Sequence, residues 1–482
     1  MDTKSKAVVV GAAVLSAAAG AFLLPAVLAA LRSAKLRKAD AARRAARVLV
    51  ESVEEDAPKD GSGKTRALWQ LYAKLRDLTL ASDPGSASML GDQRWSHRLA
   101  DLSREAFDAQ RAALEALQAE LAAALPSADA LPTSECNNHG FLVEMIALSL
   151  KRLESWQCYE TPTNQLFGPH LEFVPICLQF SPQATPAERR DLLARMGGFA
   201  SQVDQIIAAF RAGVAVRRTH PPSAIAAIAA QCGAQLGPFD ASPLAPLAKA
   251  ADGDVDEASF GGAVRRLVTR SIQPAYGRLK AFLEDEYAPH ARATAGISGW
   301  EGGAAMYGAA VAYFTSLPTL TAAEVHEMGL AEVARIRAAM SALQKASGAK
   351  MLSSPPSHTP SFVANLPLRS FMDALKADPA QAPADSAEIV REYQKILEVA
   401  ERVARHGVGG GAPAPFGLLP VAGYEVKPVE PFREAHAPPA FYYPPAADGT
   451  RGGVFYANTY KPETRGKFTM ESIALHEAIP GQ

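Results

Sequence analysis

His476 and Glu477 stand side by side in "FTMESIALHEAIPGQ", residues 468–482, where Ile473, Ala474 and Leu475 lead into them on a short apolar helix. A neutral imidazole is a good ligand for Zn²⁺, and a neighbouring carboxylate can take the proton of a metal-bound water. In the H-E-x-x-H pattern the second imidazole lies one turn on, at i+4. Here i+4 is Pro480, which removes a helical hydrogen bond and clashes with the carbonyl of residue 476. Gly481 follows and opens backbone angles closed to other residues. The helix is therefore expected to kink or stop at "PG", so that Gln482 can turn back toward His476. An amide is a poor match for zinc in place of imidazole or carboxylate. The same dipeptide recurs at His326–Glu327, followed by "MGL". With neither a second ligand nor a break, that pair reads as solvated helix surface.

The elements that position these residues follow from periodicity and end signals. Thr469 is placed to cap the His-Glu helix, and Glu471 in its first turn complements the dipole. Upstream, "GYEVKPVEP" (423–431), "AFYYPP" (440–445) and "GVFYANTY" (453–460) are short aromatic and β-branched stretches broken by Pro and Gly. They read as short strands, the prolines favouring edges. An edge strand beside the His-Glu helix gives an extended peptide a backbone to pair with. Residues 39–405 read mainly as amphipathic helices. "TPAE" (185–188) and "LTAAEV" (320–325) carry complete capping boxes at Thr185/Glu188 and Thr321/Glu324. The second opens a helix with Val325, Met328, Val333, Ile336, Met340 and Leu343 on one stripe. A helix over 103–124 turns Phe107, Leu114, Leu117 and Leu121 inward, and 140–155, 188–215, 263–284 and 387–405 look similar. Loops fall at 351–360, 378–385 and 407–417. The last, "GVGGGAPAPFG", lacks the Lys-Ser/Thr of a phosphate loop and reads as a connector.

Composition narrows the function classes. A net charge of −1 over 482 residues gives no field for nucleic acid. Cys136, Cys158, Cys177 and Cys232 are widely spaced, neither a disulfide framework nor a zinc knuckle. From Ala7 to Leu31 there is no charge. Such a run, at 1.5 Å per residue, makes about 37 Å of helix, enough to cross a bilayer core. Lys4 and Lys6 precede it, and Arg32, Lys35, Arg37, Lys38, Arg43, Arg44 and Arg47 follow. Residues 1–38 are thus expected to be an anchor, a single membrane span with the main domain on the cytosolic side. The alternative is a cleaved signal or targeting segment and a secreted or organellar protein.

Four stretches resemble one family. "LHEAIPGQ" looks like its "HE-x-x-P-G-H" signature, and "MLGDQRW" (89–95), "LTAAEVHEMGLAEVARI" (320–336) and "GGVFYANTY" (452–460) resemble its early loop, central helix and pre-signature strand. This is the domain-of-unknown-function 885 family, grouped with zincin-like metallopeptidases, and the likeness runs over roughly residues 65 to 482. The resemblance implies a mainly α fold: a large helical zincin-like domain over 39–482 with a small β-sheet near its C-terminus, behind an N-terminal hydrophobic helix. It implies zinc as cofactor and a peptide as substrate, in a carboxypeptidase-like hydrolysis. Carried over, His476 is the first metal ligand, Glu477 the general base, and Gln482 stands where the family has its second His. Asn458 and Tyr456 fall on the substrate-facing strand. Family members continue past this motif to a further acidic ligand, so the metallopeptidase-like domain is expected to be incomplete and this chain inactive. An incomplete product is the favoured explanation over a genuine short form, because the break falls inside the motif. The rival reading is a membrane-tethered helical scaffold or pseudo-peptidase.

Overall fold

The computed structural model describes residues 63–479, apart from 156–157, 251–258, 353–359, 408–415, 417–422, 432, 436, 448 and 450. The Ala7–Leu31 run, most of the loops at 351–360 and 407–417, and Pro480, Gly481 and Gln482 lie outside the described residues.

The architecture is mainly helical, with one three-stranded sheet near the C-terminus. Three helices, α1 (Gly63–Ser82), α2 (Arg104–Ala124) and α3 (Thr133–Glu154), share a leucine-rich core. Leu68, Leu71 and Leu75 of α1 meet Leu114, Leu117 and Leu121 of α2 and Leu142 and Ile146 of α3. These residues recur every three or four positions, so one stripe of each helix is buried. Ser103 caps α2 by accepting from the Ala106 N–H at 3.2 Å. Phe107 is half-buried rather than inside.

A larger core gathers α4 (Pro186–Gly197), α5 (Phe199–Ala215), α6 (Pro222–Gly233) and α7 (Gln273–Ala281) around Phe199, Val203, Phe210, Ile228 and Tyr276. The single helix expected over 188–215 is two. Gly197 and Gly198 are poor helix formers, and the chain breaks between α4 and α5 there. The capping box at Thr185/Glu188 opens α4, with the Glu188 N–H bonded to Thr185 Oγ1 at 3.2 Å.

Then come α8 (Gly303–Thr315) and α9 (Ala322–Met351), the latter opened by the Thr321/Glu324 capping box. The stripe on α9 does not face a core. Met328 is 60 % exposed, Val333 50 %, Ile336 45 % and Leu343 53 %. Among the described residues the far end of α9 is covered by Pro360–Asn365 and Leu368–Ala377, where Gln344 donates to the Val363 and Leu366 carbonyls.

The expected localisation, a single span with the main domain on the cytosolic side, is corrected by the structure. No helix among the described residues is long and apolar enough to cross a membrane. α9 has the length but carries Glu324, Glu327, Glu332, Arg335, Arg337, Lys345 and Lys350. Each such charge costs about 3 kcal/mol at a bilayer centre.

The last layer is α10 (Ser386–His406), the sheet, and α11 (Met470–Glu477). β1 (Tyr424–Pro428), β2 (Ala440–Tyr443) and β3 (Gly453–Ala457) lie in the order β1–β3–β2, parallel on one side of β3 and antiparallel on the other. Pro428 and Pro444 belong to or follow the two edge strands, while the proline-free β3 takes the centre, where every backbone N–H is needed. Phe455 and Ala457 face α10 and α11. Val454 and Tyr456, alternating with them, face the other way, toward Val429 and Phe441.

Candidate active site

α11 is seated by one face. Met470, Ala474 and Ala478, four residues apart, are buried against Ile389, Tyr393 and Leu397 of α10 and against Ala440 and Phe455 of the sheet. That spacing turns Glu477 to the flank and His476 outward: His476 is exposed and Glu477 half-buried. The helix start differs from expectation. Thr469 has helical backbone angles and makes no side-chain cap, its hydroxyl donating to the Gly466 carbonyl at 2.8 Å.

The Glu477 carboxylate accepts the backbone N–H of Tyr442, on the edge strand β2. The His-Glu pair therefore lies beside a sheet edge. Burial pushes the Glu477 carboxyl up from the usual carboxylate range, opposed by the nearby His476 and the Tyr442 N–H. The Tyr393 hydroxyl, pushed up to about 12 by burial, lies within electrostatic reach of Arg465 and Glu477. Tyr393, Tyr442 and Arg465 were not singled out from the sequence. Tyr393 sits on the apolar stripe of α10 and reads as core, and strand pairing that carries Tyr442 to α11 has no local signal.

The other expected residues are held elsewhere. Asn458 is fully buried, and its amide is engaged at both ends. Nδ2 donates to the Glu434 and Ala437 carbonyls at 2.8 and 2.9 Å, and Oδ1 accepts the Tyr460 N–H at 2.9 Å. It ties the β2 approach to the exit of β3. Tyr456 is buried on the sheet face opposite α11, stacked on Phe441, its hydroxyl donating to Gln179 Oε1 at 2.7 Å. Neither is brought to His476 and Glu477. Gln482 lies outside the described residues. Among the described residues no group of three or more His, Cys, Asp or Glu side chains gathers to hold a metal.

The early loop resembling the family does meet the C-terminal sheet. The Leu90 carbonyl accepts the Ala447 N–H at 2.9 Å, and Arg451 donates to the Met89 and Pro444 carbonyls. The loop is itself pinned by the fully buried Arg195, which donates to Ser88 Oγ, Ser181 Oγ and the Trp95 and Arg98 carbonyls. With neutral acceptors only, burial lowers its pKa.

The family model described as "Bacterial protein of unknown function (DUF885)" matches residues 84–482. The chain belongs to the DUF885 family. The matched span reaches from the helix that precedes the early loop to the His-Glu helix. No curated protein matches this DUF885 chain. A solved structure from Colwellia psychrerythraea, described as a "putative lipoprotein", is similar in fold, with a TM-score of 0.72 and 20 % identity over 87 % of this chain and 71 % of that one. At that identity the likeness concerns the fold.

Proposed function

We propose that His476 and Glu477 of this DUF885 chain belong to a site for zinc-dependent peptide hydrolysis, of carboxypeptidase-like character, at the edge of the C-terminal sheet, whose remaining metal ligands the described residues do not supply. The observation that supports the reading is the bond from the Tyr442 N–H of β2 to the Glu477 carboxylate. It sets a carboxylate and the adjacent imidazole beside a strand edge to which an extended peptide can add by backbone pairing.

The described residues do not by themselves fit a catalytic zinc, which takes three protein ligands. His476 is one; others must come from residues outside the described ones, where Gln482 holds the position of the family's second His. The chain's own groups do two things in this reading. Glu477, held up by burial, accepts a proton more readily than a solvated carboxylate does and can return it to a leaving amine. The outer edge of β2 orients the peptide through backbone groups other than the Tyr442 N–H, which Glu477 holds.

The test is made on the chain with Gln482→His, extended by the segment in which the family carries its further acidic ligand, and supplied with Zn²⁺ and a fluorogenic peptide. Chelator-sensitive hydrolysis that falls by about 100-fold or more on Glu477→Gln is expected for a lost general base. Hydrolysis unchanged by Glu477→Gln, or none at all with zinc bound, rejects the reading. A second reading, a non-catalytic helical scaffold, rests on the exposed apolar stripe of α9.

A further inference from the structure

Among the described residues, a long run of apolar side chains left in solvent lies on α9. Val325, Met328, Val333, Ile336 and Leu343 are all exposed, while Met340 is half-buried. From Ala322 to Leu343 the helix is about 33 Å long at 1.5 Å per residue. An exposed apolar face of this length, broken midway by Glu332, marks an interaction site rather than ordinary surface. What covers it is indicated by the charges around it. Glu324, Glu327 and Glu332 all lie in the first half of α9, and Arg335, Arg337, Lys345 and Lys350 all in the second. A helix that lies on a lipid surface carries a uniformly basic flank; this one is divided into an acidic and a basic half.

A divided helix is complementary to itself turned end for end. We propose that α9 is a self-docking surface, on which a second copy of this chain lays the same helix antiparallel about a two-fold axis. In parallel alignment acidic half would meet acidic half; antiparallel, each half meets its opposite. With the axis between Ala334 and Arg335, Val333 comes level with the Ile336 of the second copy. Met340 comes level with its Gly329, which has nothing within 4 Å of where a Cβ would stand. The small residue leaves a hole for the methionine knob. Such a contact is isologous and closes at two copies. The helices Pro360–Asn365 and Leu368–Ala377 cover the neighbouring flank, at Gln344 and Gly348, and leave Leu343 open.

The experiment uses the full chain. Sedimentation equilibrium across a concentration series should give a dimer. Val333→Asp with Ile336→Asp should shift the dissociation constant upward by at least tenfold while circular dichroism stays unchanged, since both positions are exposed. Direction is read by disulfide trapping. Val325→Cys mixed with Leu343→Cys should cross-link, and Val325→Cys alone should not. Charge reversal adds an independent arm: Glu324, Glu327 and Glu332→Lys in one chain and Arg335, Arg337 and Lys345→Glu in another should each be monomeric alone and associate when mixed. A monomer at every concentration overturns the proposal, whether the stripe then reacts freely or is shielded by residues 1–62. Cross-linking of Val325→Cys to itself overturns the antiparallel arrangement.

Discussion

The chain carries the same dipeptide twice, and the two copies could hardly be placed more differently. His326–Glu327 lies near the start of α9, both side chains in solvent and, among the described residues, with no strand beside them. His476–Glu477 ends α11, whose other face is buried against α10 and the sheet, so that Glu477 reaches the backbone of β2. The chemistry open to a His-Glu pair is therefore decided by what the rest of its helix packs on. Met470, Ala474 and Ala478 give α11 a partner. The stripe of α9, equally regular in sequence, has none among the described residues over most of its length.

The comparison breaks most visibly if the seat of α11 is removed. Phe455 is fully buried between the sheet, α10 and α11, its ring 4.8 Å from that of Tyr393. Phe455→Ala is expected to cost about 3–5 kcal/mol in denaturant unfolding, whereas Met328→Ala on α9, measured at a dilution where the chain is monomeric, should stay within about 0.5 kcal/mol. A cost at Met328 equal to that at Phe455 would mean that the stripe is already packed.

Acid sharpens the contrast between buried and exposed imidazoles. His170 sits between Thr163 Oγ1 at 2.7 Å and Gln231 Oε1 at 2.9 Å, and burial lowers its pKa to about 4; His220 is lowered to about 4 by burial and then by Arg292. Both folded values lie below the ordinary 6.5. Their contribution to stability is therefore present above pH 6.5 and lost as pH falls toward 4. A loss on the order of 3 kcal/mol for each is expected from shifts of this size. His170→Gln should remove about half of this dependence of the melting temperature, leaving the share of His220.

Smaller effects follow at the helix starts. Thr321→Ala removes the acceptor of the Glu324 N–H and should cost about 1 kcal/mol, read as lost helicity and earlier melting. Smallest is the carboxyl itself. Glu477 is raised, so its contribution to stability is present below pH 4.5 and lost as pH rises through the folded value. Glu477→Gln should leave stability unchanged at pH 4 and equal or raise it at pH 8. Exposure keeps the gain under about 1 kcal/mol.

The fold was largely legible because its signals are local. Capping boxes at Thr185 and Thr321 fix helix starts, and Pro428 and Pro444 mark edge strands. What was not legible depends on contacts between distant segments. Nothing near Tyr442 says that its N–H will meet residue 477, and the alternation that sends Phe455 to α11 sends Tyr456 to the opposite face. The family resemblance put Asn458 on a substrate-facing strand. It is consumed by two backbone carbonyls and an N–H that need it. The stripe of α9 read as an ordinary amphipathic helix because periodicity reports a face and not what lies against it.

The most direct measurement of the proposed site is a zinc titration by calorimetry of the same extended chain carrying Gln482→His. Binding near one equivalent is expected, weakened at least tenfold by His476→Ala and untouched by His326→Ala. Equal weakening by both substitutions, or no binding at all, would contradict the assignment of His476 as a metal ligand beside β2.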